Sequence, residues 1–129
     1  MLPGHLDVLV VDDNADSAET LAMQLSLDGH SVKFALNADE ALALADECQP
    51  LCALIDLVLP GLCGQELAAR LRERFGHDIV LIAVSGLAPS DAGIDSHNEV
   101  FDHYLPKPLS EKALQLILPP VEKTERVAA

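Results

Sequence analysis

Basic residues are scarce: lysine and arginine number 8 against 21 aspartates and glutamates, a formal charge of -13. A surface of that sign repels phosphates, which disfavours direct nucleic-acid binding. Long apolar runs are also missing, and none approaches the ~18 residues of a membrane span. The start, Met1-Leu2-Pro3-Gly4-His5-Leu6-Asp7, lacks the basic lead and apolar segment of a secretory signal. Only three cysteines occur, Cys48, Cys52 and Cys63, and they share no metal-ligand spacing. Cys48 and Cys52 lie among apolar residues and read as small core residues, which suits a reducing cytoplasm. No Gly-x-Gly-x-x-Gly follows a strand, and no phosphate-binding Gly-x-x-x-x-Gly-Lys-Ser/Thr loop occurs.

What is present suffices for one domain. The 129 residues are 50% hydrophobic, which rules out a disordered tail. The acids are unevenly placed. Residues 1–56 hold eleven of them, from Asp7 to Asp56, beside one base, Lys33, and so carry -10 of the charge. Most of these acids read as a solvated coat.

Strand and helix patterns alternate along the chain. Leu6–Val11 is a β-branched apolar run ending in Asp12-Asp13-Asn14. Ala18, Leu21, Ala22 and Leu25 form the stripe of a first helix over 15–28, stopped by Gly29. Ser31–Leu36 is a second strand. Asn37 caps a helix through about Cys48, with Ala41, Leu42, Leu44 and Ala45 apolar, and Pro50 follows. Leu51–Ile55 is a third strand ending at Asp56, and Leu57–Gly64 is a Pro/Gly loop. Gln65–Phe75 is a helix with Leu67, Ala68 and Leu71 inward and Arg70, Arg72, Glu73 and Arg74 mostly outward. Ile79–Val84 is a fourth strand ending at Ser85-Gly86. Ser90–Glu99 takes the place of a fourth helix, but Gly93, Asp95, Ser96, His97 and Asn98 form helix poorly, so a short or frayed element is expected. Phe101–Leu105 is a fifth strand, followed by Pro106-Lys107-Pro108. Ser110 caps a fifth helix through Leu118, closed by Pro119-Pro120. The reading is a domain over 1–118 with a loose tail over 119–129.

Five βα units require a parallel sheet with helices on both faces, a doubly wound α/β fold. In such a sheet the carboxyl ends of the strands share one edge, where ligands bind. Asp12, Asp13, Asp56, Ser85 and Lys107 all fall at strand ends and so come together there. Two carboxylates about 4 Å apart repel by about 4 kcal/mol at an effective dielectric of 20. Three of them need compensation, which Lys107 supplies in part and a divalent cation completes; an all-oxygen set suits Mg2+. Such a site holds an incoming phosphate through the metal, Lys107 and Ser85, and leaves one carboxylate to act as nucleophile.

The segments Leu9–Asn14, Leu54–Gly64, Ala83–Gly86 and Tyr104–Pro108 resemble, in order, the receiver domain of two-component response regulators. The likeness spans about residues 6–118. Phe101–Leu105 is also similar to receivers attached to hybrid sensor kinases. The resemblance implies a flavodoxin-like five-stranded sheet of order 2-1-3-4-5. It implies Asp56 as the phosphoacceptor, attacking a phosphohistidine on a partner kinase or histidine phosphotransfer protein. Asp12, Asp13, Asp56 and the backbone carbonyl of Val58 are then the Mg2+ ligands. Lys107 pairs with the phosphoryl group, and Ser85 bonds it after transfer. Tyr104 turns inward with Ser85 and remodels the face made by the fourth helix, fifth strand and fifth helix. That face is the implied output surface, and a weak homodimer through it competes with a monomer. The first-helix face with Ser17, Thr20, Met23 and Gln24 is the implied docking surface for the phosphodonor.

Neighbouring residues refine these expectations. Pro60 and Gly64 read as shaping residues of the loop after Asp56. Val58 and Leu87 are apolar and position no hydrolytic water, so slow autodephosphorylation is expected. Cys63 reads as an idle loop thiol, and His30, His97 and His103 as surface or loop residues. Three functions compete: a phospho-accepting switch without free-substrate turnover, standing alone or cut from a hybrid kinase; a Mg2+-dependent phosphohydrolase; and a pseudo-receiver serving as a binding scaffold. The intact acids with Ser85 and Lys107 argue against the scaffold. The adjacent Asp12-Asp13 differs from the Asp-x-Asp motif of haloacid-type phosphatases. The favoured reading is a cytoplasmic switch without membrane insertion.

Overall fold

Two asparagines start the first two helices. The Asn14 carboxamide oxygen accepts from the Ser17 N–H at 3.1 Å, and that of Asn37 accepts from Glu40 N–H at 2.9 Å. Glu40 reaches back to take the Leu36 N–H at 3.0 Å, which completes a reciprocal cap. The computed structural model describes residues 7–57, 59, 61, 63–85, 100–107 and 111–117. They form β1 (Val8–Val11), α1 (Ala15–Leu27), β2 (Val32–Ala35), α2 (Ala38–Cys48), β3 (Cys52–Asp56), α3 (Gly64–Phe75), β4 (Val80–Ser85), β5 (His103–Pro106) and α4 (Glu111–Ile117). A 3-10 turn, Gly76–Asp78, joins α3 to β4. Gly29 ends α1 at φ 101, a backbone conformation that side chains with a Cβ disfavour.

The five strands are parallel in the order β2-β1-β3-β4-β5, as expected of the resemblance. Alternate strand residues feed two separate cores. Leu9, Val11, Ala53, Ile55, Leu81 and Ala83 pack with Ala41 and Ala45 of α2 and Leu67 and Leu71 of α3. Val8, Val10, Leu54, Ile82, Val84 and Leu105 pack with Ala18 and Leu25 of α1 and Leu114 of α4. The sheet is therefore covered on both faces, which explains why its strands read as nearly pure hydrocarbon.

Element bounds differ from the sequence reading in small, explicable ways. Asp56 and Ser85 are the last residues of β3 and β4, because both stay in the ladder opposite Val84 and Pro106. β5 starts at His103, two residues later than expected, because the Asp102 side chain replaces a strand bond there. The expected helix over 90–99, the Ser110 cap and the tail over 119–129 lie outside the described residues.

Candidate functional site

Strand register builds the site. In the β1–β3 ladder Val11 lies opposite Ile55, so the next residue of each strand, Asp12 and Asp56, stand side by side at the carboxyl edge. Both are largely buried, at 8% and 7% exposure. Asp13 is exposed beside them, and one carboxylate oxygen from each of the three lies within 4.8 Å of the others. The Asn14 N–H holds Asp12 Oδ1 at 3.0 Å.

Lys107 directly follows β5 and reaches this cluster across the end of β4. Its Nζ donates to Asp56 Oδ2 at 2.8 Å and stands 3.5 Å from Asp12 Oδ2. Burial alone would lower the Lys107 pKa, but the hydrogen bond to Asp56 and the charges of Asp56 and Asp12 outweigh it, and the ammonium is held above its ordinary value. One ammonium against three carboxylates leaves the cluster negative. Its donors are all carboxylate oxygens, with no histidine or cysteine, so the residues fit a small hard cation rather than a thiophilic metal.

Gly64 is part of this construction. It opens α3 and donates its N–H to the Leu57 carbonyl at 3.3 Å. A Cβ at this position would lie 2.4 Å from the Asp56 carbonyl oxygen and 2.8 Å from the Leu57 Cα. Only glycine lets the helix press this closely on the strand end that carries Asp56.

A groove of about 620 Å³ leads from the acids along α1. Val10, Leu54 and Val84 form its floor, and Asp16, Ser17, Thr20, Leu21 and Gln24 its helical wall. Three of the four expected docking residues thus line the groove with Asp12, Asp56 and Lys107. Met23 does not; it stands outside at 64% exposure.

The other expected site residues are further away or only partly described. Ser85 ends β4 at the same edge, its backbone opposite Pro106. Tyr104 sits on β5 opposite Ala83, 37% exposed, with its ring 5.7 Å from that of Phe101. Val58, Pro60, Leu87 and His97 lie outside the described residues. Cys63 is part-exposed just before α3.

One assignment from the sequence needs correction, that of Arg72. His30 lies in the loop between α1 and β2, one of the two places read for it, with its side chain turned inward. After Gly29 reverses the chain, the His30 N–H bonds the Leu25 carbonyl, and its side chain, 8% exposed, folds in with Nδ1 4.0 Å from Asp7 Oδ2. Arg72 does not point mostly outward. Its Nη1 donates to the carbonyls of Gly76 and Ile79, both at 2.8 Å. Its Nη2 donates to the Val100 carbonyl at 2.9 Å and to Asp102 Oδ2 at 2.8 Å. Helical periodicity cannot show this, because a long side chain at the border of a polar face can fold either way.

A profile of the family described as response regulator receiver domain matches residues 8–118. The response regulator MprA of Mycolicibacterium vanbaalenii is 36% identical over 110 residues, covering 83% of this chain and 46% of that protein. The phosphate regulon transcriptional regulatory protein PhoB of Pseudomonas aeruginosa is 34% identical over 108 residues, covering 83% and 47%. The chain therefore spans about half the length of these relatives. Among solved structures, a CheY-like receiver domain from Methylobacillus flagellatus superposes with a TM-score of 0.80 at 29% identity, covering 92% of this chain and 99% of that one.

Proposed function

The chain belongs to the response regulator receiver family of two-component systems, whose members are phospho-accepting signalling switches, and on that premise we propose that Asp56 is its phosphoacceptor. The observation that carries this reading is the Lys107 ammonium 2.8 Å from Asp56 inside a cluster of three carboxylates. The donor is a phosphohistidine on a partner histidine kinase or phosphotransfer protein.

An Asp56 carboxylate oxygen attacks the phosphorus. The bond from phosphorus to the imidazole nitrogen breaks, and that nitrogen keeps the electron pair while the other ring nitrogen holds the proton. The products are an aspartyl phosphate and a neutral histidine. Lys107 offsets the negative charge that gathers on the transferred group. Asp12, Asp13 and Asp56 would hold Mg2+, with the Val58 carbonyl as a further ligand. The ion, when bound, neutralises phosphoryl oxygens.

Ser85 then donates a hydroxyl hydrogen bond to a phosphoryl oxygen, and Tyr104 turns inward from its exposed position. The change reaches the surface of β5 and α4, where an output partner or a second copy binds. The phosphodonor docks over the α1 groove, against Ser17, Thr20, Gln24 and the exposed Met23. Among the described residues no helix is long and apolar enough to cross a membrane, and we place the switch in the cytoplasm.

Incubation with Mg2+ and a small phosphoryl donor, followed by intact mass measurement, tests the reading. A gain of one phosphoryl group that is absent in Asp56→Asn supports it. Many turnovers of donor point instead to a phosphohydrolase, and no mass change points to a binding scaffold.

A further inference from the structure

β5 carries Tyr104 and leads directly into Lys107, yet it is only four residues long and, among the described residues, lies at the sheet edge, paired on one side alone. A strand like this has few ladder bonds to hold its register. Something else must set it.

Asp102 does so from just before the strand. Its N–H donates to the Leu81 carbonyl at 2.7 Å, and its Oδ2 accepts the Leu81 N–H at 2.8 Å. Both bonds go to the residue that stands opposite Asp102 when the Ile82–His103 register is extended back by one. Arg72 locks this arrangement. One end of its guanidinium holds the Val100 carbonyl and the Asp102 carboxylate, at the entry to β5. The other end holds the Gly76 and Ile79 carbonyls, at the entry to β4. A single rigid planar group thus gauges one strand entry against the other.

We propose that Arg72 and Asp102 are positioning residues for phosphoryl transfer: they set the register of β5 and so place Lys107 on Asp56. The inference rests on the assignment of Asp56 as phosphoacceptor. Lys107 lies five residues beyond Asp102. A slip of one residue would carry it about 3.3 Å along the strand and turn its side chain to the other face. The bond to Asp56, at 2.8 Å, does not survive such a shift.

The test uses the full chain as wild type, Arg72→Gln, Asp102→Asn, Arg72→Lys and Lys107→Ala, with each of the first two substitutions also combined with Lys107→Ala. Two quantities are read: the rate of phosphorylation by acetyl phosphate, and the affinity for Mg2+ alone. Misplacing Lys107 should slow phosphorylation about tenfold. It should also tighten Mg2+ binding about threefold, because a competing cation leaves the acids. Both effects should vanish in the Lys107→Ala background, and Arg72→Lys should not rescue them, since one ammonium cannot serve four acceptors. A purely structural role leaves Mg2+ binding unchanged or weaker and acts equally with and without Lys107; that outcome overturns the proposal. Wild-type rate and Mg2+ affinity in folded Arg72→Gln or Asp102→Asn overturn it too, and Asp102→Asn, which keeps an acceptor for Leu81, serves if Arg72→Gln does not fold. A wild type that neither binds Mg2+ nor gains mass is a different failure: it overturns the phosphoacceptor reading itself, and this inference falls with it.

Discussion

Arg72 donates from Nη2 to Asp102 Oδ2 at 2.8 Å, joining α3 to the residue that precedes β5 across thirty positions of sequence. The same carboxylate oxygen accepts the Leu81 N–H at 2.8 Å. Replacing Arg72 with alanine removes a donor from three carbonyls and from this carboxylate, and should cost about 2 kcal/mol of stability in urea unfolding. A loss within a few tenths of zero would show the network to be idle.

The Asp102 pair also gives stability a pH dependence. Burial pushes the Asp102 carboxyl up, but the Leu81 N–H and the Arg72 hydrogen bond and charge outweigh it, and the group titrates below its ordinary 3.8. Because the folded-state value is lowered, the contribution is fully present above the unfolded value and is lost as pH falls through the folded one. The stability difference between wild type and Asp102→Asn should therefore be flat at neutral pH and shrink in acid below about pH 4. Urea titrations across that range read it directly, and a difference that grows in acid refutes the assignment.

Lys107 keeps two buried carboxylates together. Lys107→Ala should lose about 3 kcal/mol in metal-free buffer, because Asp12 and Asp56 are left to repel each other. Saturating Mg2+ should restore much of the loss by binding the folded state alone. Thermal melts with and without Mg2+ check this; a variant as stable as wild type in chelator would refute it.

Gly64→Ala places a methyl against backbone, where no flexible side chain can yield. The expected loss is about 2 kcal/mol, and phosphorylation of Asp56 should slow because α3 can then no longer seat against the strand end. Chemical unfolding and the acetyl phosphate assay measure the two parts.

Met23→Lys separates docking from chemistry. The side chain is exposed and outside the acid cluster, so phosphorylation by a small donor should be unchanged while transfer from a phosphohistidine protein slows about tenfold. Equal transfer from the partner removes Met23 from the docking surface.

Much of the site was legible in the chain because its chemistry sits at strand ends. Apolar runs that stop abruptly at Asp12, Asp56 and Ser85 mark one sheet edge without any coordinates. The Asn37 cap was visible for a similar reason: a short polar side chain before an apolar period has few other uses. Arg72 was misread, and the inward turn of the His30 ring was not legible, because burial of a long or ring side chain depends on what packs beside it. For Arg72 those neighbours are the entries to β4 and β5, and for His30 it is Asp7.

By itself the sequence determined the βα alternation, the two-sided burial of the sheet and the polar residues at its carboxyl edge, since periodicity and punctuation are local properties of the chain. Only the tertiary structure decided distances. Laying β1 beside β3 put Asp12 next to Asp56, and placing β4 between β3 and β5 made Lys107 reach across a strand to meet both. Those contacts follow from register and strand order, which join residues up to ninety-five positions apart.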